Sequence, residues 1–501
     1  MNTFLSHVEL FFKNALNISF IKRFLSHYPR FFAFVKRRVD ADMFEGLPLT
    51  LLTLLLCVVL ALLASIVEGY VTNETLVFFD TRLANLLYAF RSESLLAFFH
   101  FLTYFAEGGV VVVAMLIASI VLWLYHHHVY IPGLWLSLVI GQMGASLGKL
   151  FFQRLRPDEA MRAIVETSFS FPSGHATMVV PLYGYMVYLV WKSTASLRVK
   201  RWSVVVFALL VLGVDFSRLY LGVHYLSDVL AGNLLGFAAL IIGIGLTEWV
   251  IDYRDMLRAS VMRYSAMTIV MGVAVMGASA MYGLSPAPVF SSYNKNETHT
   301  ISLVDVPVLF RDAILPQFTE DIVGVYQQPI SLIVVAPRAC FIEQVRRAGW
   351  VLGDDVDWKS MTTFAKRAAL DEAYPTAPMT PSFFNAMPHT YGFQKETEEQ
   401  SARSRHHARF WRTPYDTPLG GLYVGTVSLD VDIKWGVLTH EISPDIDTER
   451  DVFVNDLIRA GVVTYTSVVP FVAPTTGENF AGDNFFTSGH AAIIVLDSCG
   501  E

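Results

Sequence analysis

The run FSRLYLGVHYLSD, Phe216 to Asp228, sets Arg218, His224 and Asp228 in nearly apolar sequence, and Lys149, Arg156 and His175 interrupt hydrophobic runs upstream. Ionisable groups are costly in or near a bilayer, so their presence there calls for a use. Three blocks stand in order: GKLFFQRLRP carries Lys149, six residues, then Arg156 and Pro157; FPSGHA carries Ser173, Gly174 and His175; SRLYLGVHYLSD carries Arg218, five residues, His224, three residues, Asp228. The spacing predicts Lys149 and Arg156 two helical turns apart on one face, with Pro157 turning the chain. Ser173 suits a helix N-cap, Gly174 lets backbone approach a ligand, and the N–H groups of that helix start suit an anion. His224 and Asp228 at i,i+4 share a helix face, so the carboxylate can fix the imidazole tautomer.

These groups are what metal-free cleavage of a phosphate ester needs. Lys149, Arg156 and Arg218 would bind and neutralise the phosphoryl oxygens. His224, oriented by Asp228, would attack phosphorus, and His175 would protonate the departing alkoxide and then activate water. No metal and no cofactor has a role in this scheme. Asp215, one turn before Arg218, either pairs with that arginine or sits in the lipid–water interface.

The three blocks resemble the signature of the type 2 phosphatidic acid phosphatase superfamily, K-x6-RP, PSGH and SR-x5-H-x3-D, with no departure at those positions. The resemblance implies a histidine nucleophile, His224, a phosphohistidine intermediate, Asp228 as its partner and His175 as acid/base. It implies that Lys149, Arg156, Ser173, Gly174 and Arg218 bind phosphate. It covers about residues 47–250 and leaves the substrate open, since members act on phosphatidate, undecaprenyl diphosphate, lipid A and other phosphates.

The elements that must position these residues are membrane helices. Of 501 residues, 53% are hydrophobic and 16% charged, with a mean hydropathy of +0.45, which points to a multi-span membrane protein. The net charge of -7 argues against bulk attraction to nucleic acid. Apolar runs at 47–67, 108–125, 129–148, 176–191, 202–222, 225–247 and 264–284 predict seven spans, while 94–106 is too short to cross alone and is expected at the interface. Residues 1–45 mix aromatic and basic residues as an interfacial amphipathic segment does. Lysine and arginine clusters at 36–38, 192–201 and 254–263 mark the cytoplasmic side, so the blocks above and everything after residue 284 are expected to face outward. The Asn-x-Ser/Thr sites at Asn73 and Asn296 would matter only in a eukaryotic secretory route. Cys57, Cys340 and Cys499 form neither a metal cluster nor a disulfide framework.

From about residue 285 the composition becomes that of a soluble α/β or α+β domain, with strands at ISLIVVAP and GGLYVGTVSLDVDI and helices at ACFIEQVRRAGW and ERDVFVNDLIRAG, while 370–418 reads as a long loop. RHHARFW (Arg405–Trp411) and HEISPDIDTERD (His440–Asp451) resemble, more loosely, the LssY-type C-terminal domain, for which the family gives no settled activity. His389, His406, His407 and His440 with Asp445 and Asp447 match no standard metal spacing and read as a polar surface. SGHA recurs at Ser488–Ala491 without its partner motifs, a coincidence.

The expected architecture is an all-α polytopic membrane bundle (46–284) after an N-terminal segment (1–45), with a soluble domain at 285–501. The expected function is a bacterial inner-membrane lipid phosphatase facing outward, with undecaprenyl diphosphate the first substrate and phosphatidate the second. A phosphotransferase on the same site and a secretion or adaptor protein acting through 285–501 are the alternatives; a vanadate-dependent haloperoxidase is disfavoured by the spans.

Overall fold

The computed structural model describes residues 10–11, 27–73, 75–254, 265–288, 298–354, 358–370, 372, 374–398, 404–434, 439–479 and 481–498. The chain divides into two compact units, one of residues 1–80 and 91–291, the other of 81–90 and 292–501.

The first unit is helical: α1 (Pro29–Arg38), α2 (Leu47–Val71), α3 (Thr75–Ala89, whose residues from 81 group with the second unit), α4 (Glu93–Thr103), α5 (Gly108–Leu124), α6 (Ile131–Phe152), α7 (Gly174–Lys192), α8 (Leu197–Tyr220), α9 (Leu226–Arg254) and α10 (Ser265–Leu284). All seven apolar runs are helical where described, but the expected count of seven spans is not confirmed. Among the described residues four helices, Leu47–Val71, His128–Phe152, Leu197–Tyr220 and Leu226–Tyr253, are long and apolar enough by themselves to cross a membrane. A fifth span arises if Glu93–Ala106 and Gly108–Leu124, bent by 45°, are one broken crossing. The 94–106 segment is therefore the first arm of that bent pair. Helix α7 falls short because Thr177, Pro181 and three tyrosines dilute its apolar run. Its side chains instead fill the bundle centre: Val179, Val180, Leu182, Tyr185 and Leu189 are inaccessible. Helix α2 shows the opposite burial, with Leu54, Leu55, Val58, Leu60 and Leu62 exposed, as lipid-facing side chains are. Of the interfacial segment expected at 1–45, α1 ends in Lys36, Arg37 and Arg38; residues 1–9 and 12–26 lie outside the described residues.

Two glycines on α9 set the height of α7 against it. A Cβ on Gly232 would lie 2.6 Å from the Ser173 carbonyl oxygen, and one on Gly236 2.6 Å from that of Thr177. Only glycine permits this approach. It lets the Ser173 N–H donate to the Asp228 carbonyl at 3.0 Å, which ties the start of α7 to the first turn of α9.

The second unit is built on a nine-stranded sheet. Its main strands are β1 (Leu332–Ala336), β2 (Val351–Leu352), β3 (Tyr391–Glu396), β4 (Arg405–Thr417), β5 (Gly420–Lys434), β6 (Val463–Pro470) and β7 (His490–Leu496), in the order β6-β7-β1-β5-β4-β3-β2. Only β7 and β1 run parallel along that path. Helices Phe341–Arg347 and Ile446–Arg459 stand where expected. The long loop expected over 370–418 is corrected: it holds β3 and the 13-residue β4. In β4, Ala408 and Phe410 join one apolar core while Arg405, His407 and Arg409 take the other face. A strand covered on both faces, one of them polar, has the composition of a loop.

Candidate active site

Asp228 is fully buried in the first turn of α9, and its carboxylate gathers the local groups. It accepts the Tyr225 N–H at 2.8 Å, the Ser170 hydroxyl and Arg154 Nη1 at 2.6 Å, and lies 3.4 Å from His224 Nδ1. His224 is not on the helix, as its spacing had implied. It sits in the turn between Tyr220 and Leu226, where Gly222 takes φ +70° and a side chain would strike the Met161 carbonyl. The i,i+4 contact is made across a helix start, and the tautomer argument holds in that form.

Arg156 is likewise off the helix. Helix α6 closes at Phe152 with Gln153 left-handed, so Lys149 and Arg156 share no helical face. Arg156 is instead pinned by the Ser168 and Val223 carbonyls at 2.7 and 2.6 Å, which brings its Nη1 to 3.1 Å from His224 Nε2. Lys149 Nζ donates to Ser168 Oγ at 2.9 Å. Arg218, in the last turn of α8, donates to Thr103 at 2.8 Å and to Glu166. Asp215 takes neither expected role: it is buried and accepts Asn233 Nδ2 at 2.6 Å. Ser173 occupies the N-cap position of α7 without a side-chain cap bond. Its hydroxyl and Arg218 Nε are buried donors without a partner among the described residues. Gly174 opens the helix with Lys149 Nζ 3.9 Å from where a Cβ would stand. His175 Nε2 lies 3.2 Å from Glu107.

The electrostatics favour a neutral His224. Burial first, then the charges of Arg156, Arg218 and Lys149, hold its imidazole well below the usual histidine range. Burial raises the Glu166 carboxyl, but Arg218 and Arg156 outweigh it and bring it down to about 2.

Four supporting residues escaped the sequence reading. Arg154 pairs with Asp228 and, at 2.8 Å, with Asp80, whose other oxygen accepts the Ser227 N–H at 3.0 Å. Glu166 bridges two of the cations, and Glu107 holds His175. The available signal was a second arginine two residues before Arg156 and an aspartate inside an apolar helix; their partners lie 74 residues apart and no spacing relates them. Of the histidines in the second unit, His406 pairs with Glu449 at 2.7 Å and His407 with Asp430 at 3.0 Å, while Asp445 caps a helix. The His440 side chain lies outside the described residues. No metal-holding group of three His, Cys, Asp or Glu occurs among the described residues.

Residues 132–252 match the PAP2 superfamily, and residues 313–491 the LssY C-terminus family. A curated relative, phosphatidylglycerophosphatase B of Bacillus subtilis (strain 168), is 33% identical over 126 residues, 25% of this chain; the match spans 62% of the relative's length. Among solved structures, a transmembrane PAP2-type phosphatidylglycerolphosphate phosphatase from Bacillus subtilis aligns over 42% of this chain and 97% of its own, at 22% identity and a TM-score of 0.35. LpxE of Aquifex aeolicus aligns over 32% of this chain and 90% of its own, at 25% identity and a TM-score of 0.26.

Proposed function

We propose that this chain, which carries a PAP2 superfamily domain joined to an LssY C-terminus domain, is a membrane lipid phosphatase working through a phosphohistidine. The carrying observation is a buried imidazole, held well below the usual histidine range, backed by Asp228 and faced by Lys149, Arg156 and Arg218, beside two buried donors without a partner among the described residues. Buried donors of that kind suit an anion. In this reading Asp228 holds the Nδ1 proton of His224, so the Nε2 lone pair attacks phosphorus as Arg156 turns from it to a phosphoryl oxygen. Lys149, Arg156, Arg218 and the Ser173–Gly174 backbone bind the three oxygens. The P–O bond breaks as protonated His175, oriented by its contact with Glu107, gives its proton to the leaving alkoxide; neutral His175 then takes a proton from water, which displaces His224 and releases phosphate.

A site among membrane helices favours amphiphilic phosphates. Undecaprenyl diphosphate remains the first choice and phosphatidate the second; the curated relative's name, phosphatidylglycerophosphatase B, adds phosphatidylglycerophosphate. Purified protein in detergent should release phosphate from such a panel in the presence of EDTA. Activity lost to EDTA and restored only by a divalent ion would remove this reading.

The outward, inner-membrane placement rests on the lysine and arginine clusters and on Cys340, which, against the expectation of no disulfide framework, is disulfide-bonded, a state that persists in oxidising compartments. A reporter fused after Leu284 should be active outside the cytoplasm; activity only inside would reverse the orientation.

A further inference from the structure

The second unit holds a cavity of about 600 Å³ whose floor is the polar face of β4 and β5. Arg405, His407 and Arg409 alternate along β4, and each stands opposite a polar residue of β5: Asp430, Ser428 and Thr426 in turn. These six line the cavity, and Phe364, Met379, Phe383 and Ile442 add apolar wall.

The charges here are unevenly satisfied. Asp430 lies 3.0 Å from His407 and 3.9 Å from Arg405. Glu320, also in the lining, is taken by Arg82 and by the Ala386 N–H. Asp321 Oδ1 accepts the N–H groups of Val323 and Val325, both at 2.9 Å. Among the described residues Arg409 has no ion-pair partner, and its Nε is buried without a hydrogen bond. Burial pushes the Arg409 guanidinium down; it also brings Arg405 down to about 10 and the His389 imidazole down to about 3. Holding a guanidinium in such a place is costly without an anion.

We propose that this cavity binds a phosphate group, with Arg409 as its principal partner, the β5 hydroxyls as further donors and the apolar wall receiving whatever carries the phosphate. An arginine fork with neighbouring hydroxyls matches a tetrahedral oxyanion, and the volume is that of an ordinary small-ligand site. The phosphate could arrive free or on an amphiphile. The site is separate in sequence from the cluster at His224 and stands whether or not that cluster is a phosphatase.

Hydrogen exchange on the full chain in detergent tests this. The probes are inorganic phosphate and octylphosphonate, whose C–P bond no phosphatase step cleaves. Either probe should slow exchange in peptides covering 405–412 and 424–430. Protection by both identifies the phosphate group as sufficient; protection by octylphosphonate alone identifies an amphiphilic ligand. Arg409→Gln should weaken the protecting probe by roughly 10- to 100-fold, the weight of a charge-assisted hydrogen bond, while protection in peptides covering 221–228 stays unchanged. No protection of 405–412 in the wild-type chain by either probe would overturn the proposal, as would equal protection in a folded Arg409→Gln protein.

Discussion

Glu166 lies against Arg218, and its second oxygen is 3.3 Å from Arg156 Nη2, so one carboxylate touches two of the three cations that act on His224. A substrate phosphate must share those cations with Glu166 or displace it. The carboxylate is a resident competitor that also keeps the arginines from repelling each other.

Glu166→Gln removes the competing charge while keeping hydrogen-bonding atoms. Inhibition by inorganic phosphate should tighten by about tenfold, the scale of one charge-assisted hydrogen bond. Weaker inhibition in the variant would mean that Glu166 serves mainly to hold Arg156 and Arg218 in place.

Arg154 lies between Asp80 and Asp228, all three buried. Arg154→Met leaves two carboxylates without their cation, and breaking a buried pair costs about 3–5 kcal/mol. Thermal unfolding in detergent should show a large loss, partly recovered when Asp80→Asn is added. In whatever folds, kcat should fall more than KM rises, because Arg154 orients Asp228 and is placed away from the phosphate. A loss under about 1 kcal/mol would place Arg154 outside the network that supports His224.

The pH behaviour follows from the direction of the His224 shift. Its folded value lies well below the ordinary histidine value of 6.5, so in the fold the imidazole stays neutral as pH falls through 6.5, while the unfolded chain takes up a proton. This group's contribution to stability is therefore complete above 6.5 and is lost as pH falls from 6.5 toward the folded value. Histidine NMR titration, with His224→Asn to assign the resonance, should show no midpoint for His224 at or above 6.5.

The candidate site residues are legible because their types and gaps are local. Lys149, Arg156, Ser173, Gly174, His175, Arg218, His224 and Asp228 all stand in three short blocks, and the structure brings them into one region of the helical unit. Geometry between them was less legible. Both the Lys149–Arg156 and the His224–Asp228 spacing read as helical, yet a left-handed Gln153 and the turn at Gly222 end or interrupt those helices. Period-based reasoning counts residues and does not see where a helix stops. Arg154, Glu166, Glu107 and Asp80 were illegible because each is defined by a distant partner. Helix α7 reads as a span by its apolar length; Thr177, Pro181 and its tyrosines lower that apolarity, and its side chains fill the bundle centre. In β4, a polar row facing a cavity hid a strand.

The central claim is a phosphoryl group carried by His224, and trapping it is the most direct test. His175→Ala removes the proton source for a poor leaving group and the base for water; general acid–base catalysis is typically worth about 10²–10⁴-fold. With p-nitrophenyl phosphate, whose leaving group needs little protonation, the first step should persist while the second stalls. Rapid quenching of the His175→Ala protein with labelled substrate should give an acid-labile, base-stable phosphate on the peptide containing His224, absent from the His175→Ala, His224→Ala double variant. No trapped label, with equal losses on lipid and nitrophenyl substrates, or a label that survives in the double variant, would contradict the account.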